Sequence, residues 1–393
     1  MLLHRNRRFA RLWIGQVVSV VGDGMQRVAL LWWATGRGGT TLLVAIAASG
    51  IVPMVALSPL GGWAADRYDR RVLLVAADLL RFVSVLLLAA AVGSGNPHPL
   101  LVCALVAVMA AGTALFDPTY NAAVPTLVSD EDLASANGLN LANSAAGGLA
   151  GPIVGGLLLA WMGVGTVLVL NALTFAWSAA FVLSVRLAAP SGAATAESTA
   201  GRELFRDHEL LRLCLLAAVL NMVVAPVPLL IVTLAVRELA VGAGTYGLLQ
   251  AMISGGLLVG ALAAGALVER RGALRNAMVV VAACLGALSL VPLAGAFVAL
   301  AVGGVAIAVA NTSLITTFQR AVPPELLGRA FGTLGALSEG LRPAGLLLAG
   351  PLLAGVGARG AFAVVGSGVL AATLTWARPA VRPQSAALSP TRP

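Results

Sequence analysis

Between Asp132 and Arg186 the chain carries no formal charge, and the same holds from Phe82 to Phe116 and from Asn276 to Gln319. Crossing a bilayer as a helix takes about 20 consecutive apolar residues, and each of these stretches is longer. Composition agrees: of 393 residues, 59% are hydrophobic and 10% charged, with a mean hydropathy of +0.94. Soluble domains are about 45–50% apolar and about 25% charged, so a water-soluble globule is excluded. The apolar runs, punctuated by Gly, Pro and charge, predict an all-α membrane protein with twelve transmembrane helices. They fall near 9–34, 41–63, 72–92, 100–120, 137–160, 164–186, 210–235, 245–267, 276–295, 297–319, 330–354 and 357–377. The first is far longer than a signal-peptide core and lacks a small-residue cleavage site, so it is expected to be retained.

All the basic residues are arginine; no lysine occurs. A phosphate-cradling P-loop and a Schiff base both need a lysine, so neither chemistry is available. Cys103, Cys214 and Cys284 stand singly in apolar runs, which argues against a disulfide framework or zinc site. Nothing in the pattern calls for an enzyme, a metal or a cofactor. With both termini on the cytoplasmic side, 19 arginines fall at cytoplasmic segments and 3 (Arg37, Arg237, Arg359) at outside loops. The positive-inside rule then accounts for the net charge of +9 without nucleic acid. The orientation expected is that of a multi-pass protein of a bacterial inner (cell) membrane.

Residues 188–209 open with small and polar side chains and read as a cytoplasmic linker between two six-helix bundles, 1–187 and 210–378. The Pro-rich tail 379–393 reads as disordered. The two halves resemble one another. Gly62, Asp66 and Arg67 after the second span are matched by Gly265, Glu269 and Arg270 after the eighth, and an Ala-Val-Pro stands at 123–125 and again at 321–323. Twin halves with equivalent loops suit a transporter built by duplication, a pseudo-symmetric pair of bundles.

Two motifs connect this pattern to a family. Gly62–Arg71 resembles the loop 2–3 signature of the major facilitator superfamily: Gly62, Ala65, Asp66, Arg67 and Arg70 match, Ala64 and Asp69 depart, and Arg71 replaces a lysine. In the fifth span Gly147, Gly151, Pro152, Gly155 and Gly156 fit the superfamily's antiporter signature at every fixed position. The segment from Phe9 through Trp13, Gly15 and Gln16 to Asp23, with Asn137 to Asn140, is similar to its bacterial macrolide and enterobactin-type exporters. The resemblance implies the major facilitator fold and a cytoplasmic latch built on the loop motif. Gly62 would permit close helix approach, Asp66 would sit at a neighbouring helix N-terminus, and the arginines would pair across the seam between halves. The plainer alternative for the loop is positive-inside anchoring, and for the fifth span a generic small-residue helix interface. Span 4 lacks the arginine common in drug–proton antiporters, which weakens a proton role there.

More than two residues from a span end, seven ionisable residues lie within spans: Asp23, Arg27, Asp78, Arg81, Asp117, Glu339 and Arg342. At about 2.5–3.5 kcal/mol per charge at mid-bilayer, they cannot all face lipid alone. Asp23 with Arg27, Asp78 with Arg81, and Glu339 with Arg342 are spaced to share helix faces as ion pairs. Depth selects Asp23, tuned by Arg27, as the first proton-coupling candidate and Glu339 with Arg342 as the second. Burial disfavours a charged carboxylate and a neighbouring guanidinium favours it, and that opposition suits reversible protonation; a permanently ionised structural pair is the alternative. Asp78, Arg81 and Asp117 are expected as partners of the loop arginines in the latch. Gln16, Gln26, Asn140, Asn143, Asn221, Gln250 and Asn311 are candidate cavity residues. Trp13, Trp32, Trp33 and Trp177 read as interfacial anchors or as stacking platforms. The expectation is a secondary active transporter, monomeric, that exports a small amphipathic drug or natural product against protons by alternating access. A proton-coupled uptake permease, or a non-transporting protein such as a scramblase or assembly partner, is the alternative.

Overall fold

The computed structural model describes residues 2–37, 39–187, 208–268, 270, 272–322 and 327–376. All regular structure among them is helical: α1 Leu2–Arg5, α2 Arg7–Arg37, α3 Gly39–Arg67, α4 Arg70–Gly93, α5 Pro99–Ala123, α6 Asp130–Leu183, α7 His208–Val224, α8 Val227–Thr233, α9 Ala243–Leu267, α10 Ala273–Ala287, α11 Leu293–Ala321, α12 Leu327–Gly340 and α13 Arg342–Trp376. Short 3₁₀ and π turns, Val124–Thr126 and Leu234–Glu238, complete the order. Among the described residues eight stretches are long and apolar enough to cross a membrane, and α10 is a shorter apolar helix.

Two of these stretches turn back on themselves. Within α6, Gly163 has φ 77°, a conformation open to glycine and costly for other residues. On its N-terminal arm Gly147, Gly151 and Gly155 pass Val20, Gly24 and Met25 of α2 in the same order. On its C-terminal arm Asn171 meets Gln26 and Ser178 meets Gln16, in the opposite order. The chain therefore reverses at Gly163. Gly357 (φ 69°) does the same in α13: Gly345 and Gly368, on either side of it, both pack at Met222–Val223 of α7. We propose that α2 and α10 cross as well, which would bring the tally to the expected twelve. The linker and the tail (188–207 and 377–393) lie outside the described residues.

The halves repeat one packing scheme. Gly61 of α3 presses on Ala114 of α5 in the first half, and Gly256 of α9 on Ala301 and Gly304 of α11 in the second. Likewise α2 packs closely on α6 at Gly24 and Gly151, and α7 on α13 at Met222 and Gly345. Glycine at these sites lets backbones approach to a distance at which side-chain contact gives way to main-chain contact.

Between the halves the two ends differ. Arg11 bonds the Ser184 carbonyl, Arg71 the Leu183 carbonyl and Arg212 the Thr375 carbonyl, so the starts of α2, α4 and α7 lie at the arginine-rich end with the ends of α6 and α13. There each half keeps its own apolar core: Phe9, Leu12, Leu74 and Phe116 in one, Cys214, Ala217, Val322 and Leu334 in the other. At the far end a single core joins both, from Val28 and Leu88 to Leu230, Tyr246 and Phe362. Trp32 stacks on Tyr246 with ring centroids 5.8 Å apart. Arg237 reaches Thr40 Oγ1 at 3.5 Å. Among the described residues the halves share one core toward the far end and keep separate cores toward the arginine-rich end, from which we infer a cleft between them there.

Candidate substrate and coupling site

The polar residues of α2 are where the cleft acquires chemistry. Asp23 is half-buried on that helix, and the charges of Arg81, Arg27, Asp117 and Asp78 all act on it. These five side chains come from α2, α4 and α5, and among them Asp78 and Arg81 are in direct contact.

Asp78 and Arg81, one turn apart on α4, form an ion pair with side chains 0% and 3% exposed. Such burial costs several kcal/mol per ion unless the geometry is completed by other groups. Here it is. Ser178 donates to Asp78 Oδ2 at 2.7 Å, and Gln16 Nε2 donates to Ser178 Oγ at 2.8 Å. The Arg81 guanidinium is sandwiched between Phe116 at 4.1 Å and Phe175 at 4.6 Å, a desolvated cation–π arrangement. The expected pairing of Asp78 and Arg81 with the loop arginines is corrected: their partners are each other, inside the first half. The charge that acts on Asp117 is that of Arg81, and its place in the latch remains an expectation.

The expected Asp23–Arg27 ion pair does not form among the described residues. Arg27 is exposed, and its charge is felt at Tyr246 of α9 in the other half. Of the guanidiniums whose charge acts on Asp23, Arg81 on α4 outweighs Arg27 on its own helix. Asp117 is exposed on a face of α5 whose earlier turns, Val106 and Ala110, are buried.

From the second half, Glu339 and Arg342 make the ion pair that their spacing predicts, at 3.1 Å, with side chains 47% and 40% exposed. Gly350 packs toward Val44 of α3, and Glu339 stands eleven residues earlier, about three helical turns at 3.6 residues each.

The glycine motif of α6 serves both neighbours at once. A methyl group on Gly151 would stand 2.7 Å from Gly24 Cα and 2.8 Å from the Val21 carbonyl; one on Gly155 would stand 2.6 Å from Met25 Cα. These positions, with Gly147 against Val20, seat α6 on α2. The other face crosses the seam: a methyl on Gly156 would stand 2.8 Å from the Ala243 carbonyl and 3.0 Å from Gly247 Cα, and one on Gly148 2.9 Å from Ser254 Oγ. Pro152 lies inside α6 with its carbonyl against Gly247.

The loop motif is arranged differently from expectation. Gly62 has no neighbour within 4 Å; the close approach is made one residue earlier, by Gly61. The helix N-terminus is capped by Asp69, whose Oδ1 accepts from Arg71 N at 2.8 Å and Val72 N at 3.3 Å, while Asp66 is exposed. An Asp immediately before a helix start is a capping signal that the family pattern obscured. Arg67 stacks on Trp63 at 4.7 Å, Arg70 bonds the Ala65 carbonyl at 3.3 Å and Arg71 the Leu183 carbonyl. Among the described residues none of the three reaches the second half. Arg270 is exposed; Glu269 lies outside the described residues, and of Gly265 only the helical backbone is described.

The polar candidates divide. Gln16 and Gln26 are buried within the first half, not in the cleft: Gln26 donates to Met109 Sδ at 2.8 Å and accepts from Asn171 at 2.7 Å, clamping α2 to α5 and α6. Asn140 accepts from Tyr120 at 2.9 Å, and Asn221 bonds its own helix at Ala217. Gln250 donates to Tyr246 Oη at 3.1 Å. Asn143 is buried with its Oδ1 unpartnered among the described residues, and Asn311 is exposed on α11. Ser178, Asn171, Phe116, Phe175 and Tyr246 were not legible as site residues, because nothing in a single sequence pairs a serine or phenylalanine with a charge a hundred residues away.

Comparison with known proteins bears on this arrangement. A family model described as transmembrane secretion effector, of the major facilitator type, matches residues 3–393. The chain belongs to that family. It is therefore a multi-pass membrane transporter of the major facilitator superfamily. Among its relatives, macrolide efflux protein A of Streptococcus pyogenes is 24% identical over 365 residues, covering 87% of this chain and 88% of that protein. The multidrug efflux pump Tap of Mycolicibacterium fortuitum is 27% identical over 366 residues, with 87% and 88% covered. The fold matches a bacterial homologue of the iron transporter ferroportin in its inward-facing state, with a TM-score of 0.75 at 18% identity, covering 94% and 97% of the two chains.

Proposed function

We propose that this transporter exports a small amphipathic drug or natural product in exchange for protons, across a bacterial cell membrane with both termini in the cytoplasm. One observation carries the reading: Asp23 is half-buried on α2 with no ion-pair partner among the described residues, while Asp78 is taken up by Arg81. Ionised, Asp23 carries an unpaired charge within the membrane, which is expensive. A proton on Asp23 removes it. Asp78 is committed to Arg81, so Asp23 and the exposed Asp117 are the carboxylates free to exchange a proton with the cleft. In this orientation the cleft opens to the cytoplasm, where the 19-to-3 arginine asymmetry supports that side being inside. Protonation would alter how the first half meets the second and so shift the balance between the two open states. The relatives named as macrolide and multidrug efflux proteins support export of a drug-sized compound. Glu339 with Arg342 is the second coupling candidate, from the other half.

Cells expressing the transporter and loaded with radiolabelled erythromycin test it. Efflux faster than in empty-vector cells, and abolished by a protonophore, is the expected result. Efflux that continues unchanged after the proton gradient collapses overturns the coupling.

A further inference from the structure

We infer a second site, for an anionic phosphate group, at the arginine-rich end of the first half. A cavity of about 560 Å3 opens there, lined by His4, Arg5, Arg7, Arg8, Ser129 and Asp132 among others. It is built entirely from charged and polar side chains, and it is not a floppy tail that happens to be basic. Phe9 and Leu12 are fully buried in the adjoining core, with Leu3 packed against it. Asn6 donates to the Leu127 carbonyl at 2.6 Å and accepts from Phe9 N at 3.0 Å, and Trp13 bonds the Leu139 carbonyl at 3.0 Å. These contacts hold the strip of basic residues against the start of α6.

Within the cavity the charges are unequal. Arg5 is paired with Asp132, and Asp132 also accepts from Ser129. Arg7 and Arg8 are exposed, and no ion pair engages them among the described residues. They stand at the first turn of α2, where the helix macrodipole is positive. Two free guanidiniums, a nearby imidazole and a helix start are the chemistry that binds a phosphate oxygen set. With α2 crossing the bilayer, this turn lies at headgroup level, where clustered arginines meet acidic lipids. The ligand is thus a phosphate monoanion or diester, carried by an acidic phospholipid or free in solution. The inference is independent of proton coupling and of drug export.

Thermal unfolding of the purified full-length protein in a neutral detergent reads the site, because a ligand that binds the folded state raises Tm. Dioleoyl phosphatidylglycerol is expected to raise Tm, and dioleoyl phosphatidylcholine to leave it unchanged. The double variant Arg7→Gln/Arg8→Gln should lose at least half of the phosphatidylglycerol shift, and Arg186→Gln, an exposed arginine elsewhere at the same end, should keep it. Millimolar inorganic phosphate separates the sources. A phosphate shift that the double variant also loses supports a site served from solution, and the lipid shift alone supports a headgroup site. Equal phosphatidylglycerol shifts in wild type and double variant, or an equal response to phosphatidylcholine, would overturn the inference.

Discussion

Arg81 is a buried charge at the centre of several contacts in the first half. Its guanidinium lies between two phenyl rings and balances Asp78 where neither meets water. Replacing one member of such a pair leaves an uncompensated buried charge, a loss of about 3–5 kcal/mol, while replacing both with neutral groups is often mild. Arg81→Gln and Asp78→Asn are each expected to lower the denaturation midpoint strongly, and the double variant to recover much of it. A double-mutant cycle measured by thermal unfolding checks this, and additive losses would contradict it. The sequence named both residues as an i,i+3 pair and that pairing holds. Their place in a latch did not, because position along a helix says how deep a residue lies but not which neighbouring helix it faces. The same blindness paired Asp23 with Arg27, when α4 supplies the stronger countercharge.

At the scale of single helices, α6 is used on two faces, and the two faces predict different failures. Gly151 packs within the first half, so Gly151→Ala pushes backbone against backbone and should destabilise the fold by about 1–3 kcal/mol. Gly247 and Gly156 meet across the seam at the closed end. Gly247→Ala is instead expected to leave the unfolding midpoint nearly unchanged while opening that end. The reading is faster labelling of a cysteine placed at Thr40 by a membrane-impermeant maleimide. Equal labelling in wild type and variant would count against the seam. The four-residue spacing of Gly147, Gly151 and Gly155 made the α2 face legible from sequence. The choice of Gly61 over Gly62 was not legible, since adjacent glycines differ by about 100° around the helix axis and only the partner helix selects between them.

For the molecule as a whole, the apolar runs announced a helical membrane bundle, and the repeated Gly, acid and Arg of the loops announced a duplication that the repeated helix contacts match. Which end is closed had no sequence signal: apolar side chains occupy both ends, and only their assembly into one shared core or two separate cores distinguishes them. That asymmetry is what alternating access requires, with the joined end and the parted end exchanging. The central claim joins this geometry to Asp23. Proteoliposomes holding the purified transporter, with an acidic lumen and labelled erythromycin outside, test it most directly. Wild type is predicted to accumulate the label above equilibrium for as long as the gradient lasts. Asp23→Asn is predicted to exchange labelled for unlabelled erythromycin without accumulating it. Accumulation by Asp23→Asn equal to wild type, or accumulation by wild type without a gradient, would contradict the account.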